Sequence, residues 1–205
     1  MIEFMQPNTC SERKILFVHN PKAAGTSFRK WLGINNRFNH FFPSTHTPVK
    51  IWNDYTVIVV VRDPIERAIS GYKYLTHESY QGTFRKIYPD LPSWDPLTFF
   101  SRMFNEQIIV VPPQFKYATH FLSNKPPDFL LKFENLDTTE LARHLKIKEP
   151  FPRENIGKNR SPIELREDLY VALIRHYRVD YLLYDYRPKP YDVFMDEQHG
   201  LKQAG

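Results

Sequence analysis

The sequence predicts an α/β domain with a mainly parallel central sheet flanked by helices. Two short runs of strand-forming apolar residues, at 14–19 and Thr56–Val61, show no polar alternation, as expected of strands buried on both faces. Each is followed by a turn and then by apolar residues at helical spacing, the opening half of a βαβ unit.

Composition narrows the class further. The 205 residues suit one domain spanning 1–205, with 1–12 and 188–205 expected at its periphery. At 41% hydrophobic and 25% charged, the chain is neither disordered nor collagen-like. One cysteine, Cys10, excludes a disulfide scaffold and a cysteine-based zinc site. The net charge of +5, from 28 Lys and Arg against 23 Asp and Glu, points to anionic partners without naming them. Residues 1–11 lack the pattern of a secretory signal. The most apolar stretch, 57–61, falls far short of the about 20 residues that span a bilayer. A reducing, cytoplasmic setting is therefore expected. Histidines 19, 40, 46, 77, 120, 144, 176 and 199 show no metal-ligand spacing, so no metal is expected.

The elements follow in order. The first strand ends at Asn20-Pro21, and Gly25-Thr26-Ser27 precedes Phe28, Trp31 and Leu32, a helix opened by Thr or Ser. After the second strand, Pro64 suits the first helical position and Asp63 its cap, with Ile65, Ala68, Ile69 and Tyr72 forming an apolar face. Residues 77–94 read as a loop or insertion, and 96–104 as a short helix. A third strand is expected at 129–133, then a helix at 138–144, a polar loop at 148–162 and a long helix at 162–177. Ile163, Leu165, Leu169, Leu173 and Ile174 supply the apolar face of that last helix.

The loop at 21–27 joins a buried strand to a helix. A helix N-terminus offers backbone N–H groups and a positive dipole end, which suit a phosphate. Gly25 permits close approach of the backbone, Thr26 and Ser27 add hydroxyl donors, and Lys22 adds a charge on a flexible stem. The pattern is not the P-loop of NTPases, GxxxxGK[ST], because Lys22 precedes Gly25 by three residues and no first glycine is present. An ordinary turn and helix cap is the plain alternative. Arg62 ends the second strand, where arginines of open α/β sheets face the ligand crevice, and Ser70 lies eight residues on. A surface ion pair of Arg62 with Asp63 or Glu66 is the corresponding alternative.

Phe17-Val18-His19-Asn20-Pro21-Lys22-Ala23-Ala24-Gly25-Thr26-Ser27-Phe28 closely resembles the 5′-phosphosulfate loop of sulfotransferases that use 3′-phosphoadenosine 5′-phosphosulfate (PAPS), in the branch containing carbohydrate O-sulfotransferases. Residues 62–72 resemble the 3′-phosphate motif of the same family. The resemblance is densest over 14–31 and 57–72, weaker over 114–134 and 155–184, and thin elsewhere. It implies a P-loop-NTPase-like sulfotransferase fold. It further implies that Lys22, Ala23, Ala24, Gly25, Thr26 and Ser27 hold the 5′-phosphosulfate, and that Arg62 and Ser70 hold the 3′-phosphate. A basic loop at 155–161 resembles the family's nucleotide-covering loop and makes Lys158 and Arg160 candidates there, the alternative being a solvated basic turn. Animal carbohydrate sulfotransferases usually carry an N-terminal membrane anchor; none is legible here, and a soluble enzyme is the expectation.

Sulfuryl transfer moves the group in line between two oxygens, so positioning and charge stabilisation do most of the work. Lys22 suits the leaving phosphate, and the backbone N–H groups of 24–27 suit the sulfuryl oxygens. A hydroxyl acceptor needs a base. By resemblance to carbohydrate sulfotransferases, which place a histidine in this interval, His46 is the expected base, with His120 as second candidate. His19 is expected to pack structurally and Glu134 to bond nearby backbone. The aromatics at 72–121 can line an acceptor site or simply form core, and the core reading is preferred. Expected partners are the nucleotide donor and a hydroxyl-bearing acceptor, a glycan or small molecule, with no nucleic acid. A nucleotide kinase-like phosphotransferase and a non-catalytic anion- or nucleotide-binding module remain as alternatives.

Overall fold

Both apolar runs form strands, and the sheet grows from them. The computed structural model describes residues 9–34, 42–105, 111–152 and 162–200. From the N-terminus these hold β1 (Thr9–Cys10), β2 (Ile15–Val18), α1 (Gly25–Leu32), α2 (Pro43–His46), α3 (Val49–Asp54), β3 (Thr56–Val61) and α4 (Pro64–Leu75). There follow α5 (Thr83–Ile87), a 3-10 turn (Leu91–Ser93), α6 (Pro96–Asn105), α7 (Phe115–Ala118), β4 (Phe129–Lys132), α8 (Thr139–Leu145), α9 (Glu167–His176), α10 (Arg178–Leu183) and α11 (Tyr191–Gln198).

The four strands form one sheet in the order β1-β2-β3-β4. β3 runs parallel to both neighbours, with Val18 opposite Val59 and Val61 opposite Lys132. β1 adds an antiparallel edge through Thr9 and Cys10. The α/β class with a mainly parallel sheet flanked by helices is therefore what the chain adopts. Every residue of β2, and of β3 after Thr56, is buried, which is why neither run alternates.

Four expectations need correction. The first strand begins at Ile15, because Lys14 adopts a left-handed turn conformation (φ 49°) between β1 and β2. The first helix is opened by Ala24, also left-handed and without a side-chain cap, so Thr26 and Ser27 lie inside the helix. The long helix starts at Glu167; Ile163 and Leu165 precede it in a non-helical stretch where buried and exposed residues alternate. That period of two is the extended pattern rather than the helical one. Lastly, the end of the chain is not wholly peripheral, since α11 buries Phe194.

The chain divides into two compact units. One comprises the described residues up to Asp63 together with 113–152. Its core joins Ile15, Phe17, Ile58 and Val60 of the sheet to Phe28 and Leu32 of α1 and Leu141 of α8. The other comprises 64–105, 111–112 and 162–200, with a core of α4, α6 and α9 side chains. Trp94, Phe99 and Phe100 are buried in that core, and Tyr72, Tyr80, Phe84, Tyr88 and Phe104 pack against it. Most of the aromatic-rich region is thus core, as preferred. Among the described residues no helix is long and apolar enough to cross a membrane.

Candidate functional site

In the sheet-bearing unit, β2 and β3 end side by side, and each is followed at once by a candidate cation. β2 passes through His19 and Asn20 into the loop carrying Lys22. Lys22 (φ 66°) and Ala24 (φ 57°) both adopt left-handed backbone. For residues other than glycine this costs about 1–2 kcal/mol each, and such strain collects at functional sites. The first helical bond of α1 runs from Phe28 N–H to Ala24 O, so the N–H groups of Gly25, Thr26 and Ser27 precede the helix's own ladder. Ala23 and Ser27 are buried behind the loop, while Thr26 is exposed.

Gly25 is required for a reason the sequence did not reveal. A Cβ there would lie 1.8 Å from Nε2 of His19, so the imidazole occupies the space a side chain would need. His19 is buried and stacks on Phe17, with ring centroids 6.0 Å apart. Its expected structural role is therefore met, and it is what brings the start of α1 against the end of β2.

Arg62 follows β3 directly. Its Nη1 donates to Lys22 O at 3.3 Å, and its guanidinium lies 4.7 Å from the centre of the Phe133 ring. The structure thus brings Lys22 and Arg62 together at the C-terminal ends of adjacent parallel strands, where ligands of open α/β sheets bind. Burial, and then the nearby Arg62 charge, lower the Lys22 ammonium from 10.5 to about 8. Two cations held side by side are unfavourable in isolation and become favourable when an anion sits between them.

Side-chain amides hold this strand end in place, and sequence reasoning did not identify them. Gln114 accepts from Arg62 N–H at 2.8 Å and donates to Arg62 O at 2.7 Å. Asn20 Nδ2 donates to Val60 O at 2.9 Å and to the Gln114 side-chain oxygen at 2.8 Å. Glu134 accepts from Asp63 N–H at 2.7 Å, the backbone-bonding role expected of it. The only hint of Gln114 in the sequence is a polar residue after two prolines.

The histidines separate clearly. His120 is buried; its Nε2 donates to Thr47 O at 2.9 Å, and its Nδ1 accepts from Leu122 N–H at 3.2 Å. Both ring nitrogens are committed to backbone, which removes His120 as a candidate base. His46 ends α2, with Nδ1 2.6 Å from Thr45 Oγ1. Thr45 Oγ1 also donates to Phe42 O at 3.1 Å. Ser70 is half-buried on α4, in the other unit. Lys158 and Arg160 lie outside the described residues.

Compared with known proteins, the chain matches no family model, no curated protein and no solved structure.

Proposed function

We propose that the protein is a sulfotransferase that moves a sulfuryl group from PAPS to a hydroxyl acceptor, a carbohydrate being the preferred class. The observation that carries this reading is the Lys22–Arg62 pair, held at the ends of two adjacent parallel strands beside a strained loop that opens a helix. Such a site suits a ligand with anionic groups at two points. The order of the motifs along the chain supports a nucleotide phosphorylated at both ends.

The donor supplies the activated S–O bond. Lys22 neutralises the bridging phosphate oxygen as it departs with the electron pair, and first-turn N–H groups of α1 bind the sulfuryl oxygens. Arg62 grips the second phosphate bidentately, and the resemblance assigns Ser70 to the same group. The new S–O bond forms to the acceptor oxygen, whose proton passes to the His46 imidazole. The resemblance assigns Lys158 and Arg160 to the loop that covers the nucleotide.

The test is incubation with PAPS and a panel of glycans and phenols, read by mass spectrometry. One acceptor is expected to gain the mass of a single sulfuryl group, with turnover falling about 10²–10³-fold in Lys22→Ala. Donor binding without transfer to any acceptor would favour an anion-binding module instead. Full turnover in His46→Ala would remove His46 from the mechanism.

A further inference from the structure

We propose that Gln114, together with Asn20, is a positioning residue: the two buried amides stand in for a missing stretch of strand and thereby set the spacing between Lys22 and Arg62. The inference rests on the sheet. Phe133 N–H donates to Val61 O on the β4 side of β3. By strand alternation, the peptide groups of Val60 and Arg62 face the β2 side. β2 has ended by then, at Val18 opposite Val59, because its chain turns away into the Lys22 loop. Backbone groups left there in a buried setting would each cost about 1–3 kcal/mol without a partner.

Side chains supply the partners. Asn20 Nδ2 reaches Val60 O, and the Gln114 amide engages both the N–H and the C=O of Arg62, as a neighbouring strand would. The Asn20–Gln114 bond of 2.8 Å then ties the end of β2 to the end of β3. Asn20 stands two residues before Lys22, and Gln114 grips the backbone of Arg62, so each cation is referenced to the same amide pair. Gln114 is 0% exposed and Asn20 1% exposed, which keeps water from competing for these bonds. β2 can therefore leave the sheet early, opening the loop, without releasing β3.

The spacing claim is independent of the ligand; only its consequence for nucleotide binding rests on the sulfotransferase reading. In the full chain, the Lys22 side chain is titrated by ¹³C NMR in the unmodified protein and in Gln114→Met, a neutral change of similar length. Lys22 is expected to titrate near 8 in the unmodified protein and to move up in the variant as Arg62 drifts from it, while burial, the larger cause of the shift, still holds it below 10.5. Affinity for adenosine 3′,5′-bisphosphate, by calorimetry, should fall at least about tenfold. An unchanged or lowered Lys22 titration in a folded variant overturns the proposal, whatever the affinity does. If Gln114→Met does not fold, Asn20→Ser carries the same comparison. Loss of the fold in both variants also overturns it, since the amides would then serve the fold rather than the cation pair. Failure of the unmodified protein to bind the bisphosphate overturns the proposed function instead, and leaves the titration to decide on Gln114.

Discussion

Arg62 and Arg67 stand five residues apart and are used in opposite ways. Arg67, on α4, is 0% exposed; it donates to Pro112 O and lies 5.9 Å from the centre of the Tyr177 ring. The Tyr177 hydroxyl in turn donates to Val111 O at 2.7 Å, and Asp180 is buried in the same unit. Burial first, and then the Asp180 charge, push the Tyr184 hydroxyl up in pKa, while Arg67 pulls it down. Arg62, by contrast, is half-buried and shares its surroundings with Lys22, a like charge. A guanidinium fully enclosed, with a carbonyl and a ring face against it, is structural. One held beside a second cation directs its field at whatever anion approaches.

The largest effect expected from breaking this contrast is on stability. Arg67→Met should cost about 2–4 kcal/mol in urea denaturation, because it removes a fully buried guanidinium together with its hydrogen bond to Pro112 O and its contact with the Tyr177 ring. Arg62→Met should cost under about 1 kcal/mol in the same measurement, as expected for a partly exposed charge. Equal losses would erase the distinction between the two arginines. Next in size, Arg62→Met should weaken adenosine 3′,5′-bisphosphate binding about 10- to 100-fold, the worth of charge-assisted hydrogen bonds to phosphate, as read by calorimetry.

A smaller effect sharpens the contrast through pH. Lys22 titrates near 8 when folded, against 10.5 ordinarily. Below about pH 8 it is protonated in both states, and the folded protein bears the full cost of the buried charge. Between about 8 and 10.5 the unfolded chain holds more protons, so stability rises with pH as that cost is relieved. Lys22→Met should therefore stabilise the protein by about 1–3 kcal/mol at neutral pH, with the advantage shrinking above pH 8. If the protein has the proposed activity, kcat/KM should decline above about pH 8 as Lys22 loses its proton. A pH-rate profile flat to pH 10 would show that Lys22 does not supply the charge.

What the sequence alone determined was local. Apolar runs without alternation identify β2 and β3, because burial on both faces leaves no room for polar residues, and a similar run identifies β4 although Leu130 there is exposed. Lys22 and Arg62 were legible because each follows such a run, and His19 and Glu134 play the structural parts expected of them. α5 and α11 went unpredicted, since both are short and their apolar positions answer to partners elsewhere in the chain. The start of α9 was misplaced because Ile163 and Leu165 sit two apart, a spacing that helical reading absorbed. Only the tertiary structure decided three matters. Gly25 exists to admit the His19 ring. His120 is spent on backbone rather than chemistry. Gln114 joins Asn20 across 94 residues and Arg62 across 52, and separations of that size leave no periodic trace in a sequence. Periodicity records which face of an element is buried, whereas a buried amide records which distant groups the fold has left in need of a partner.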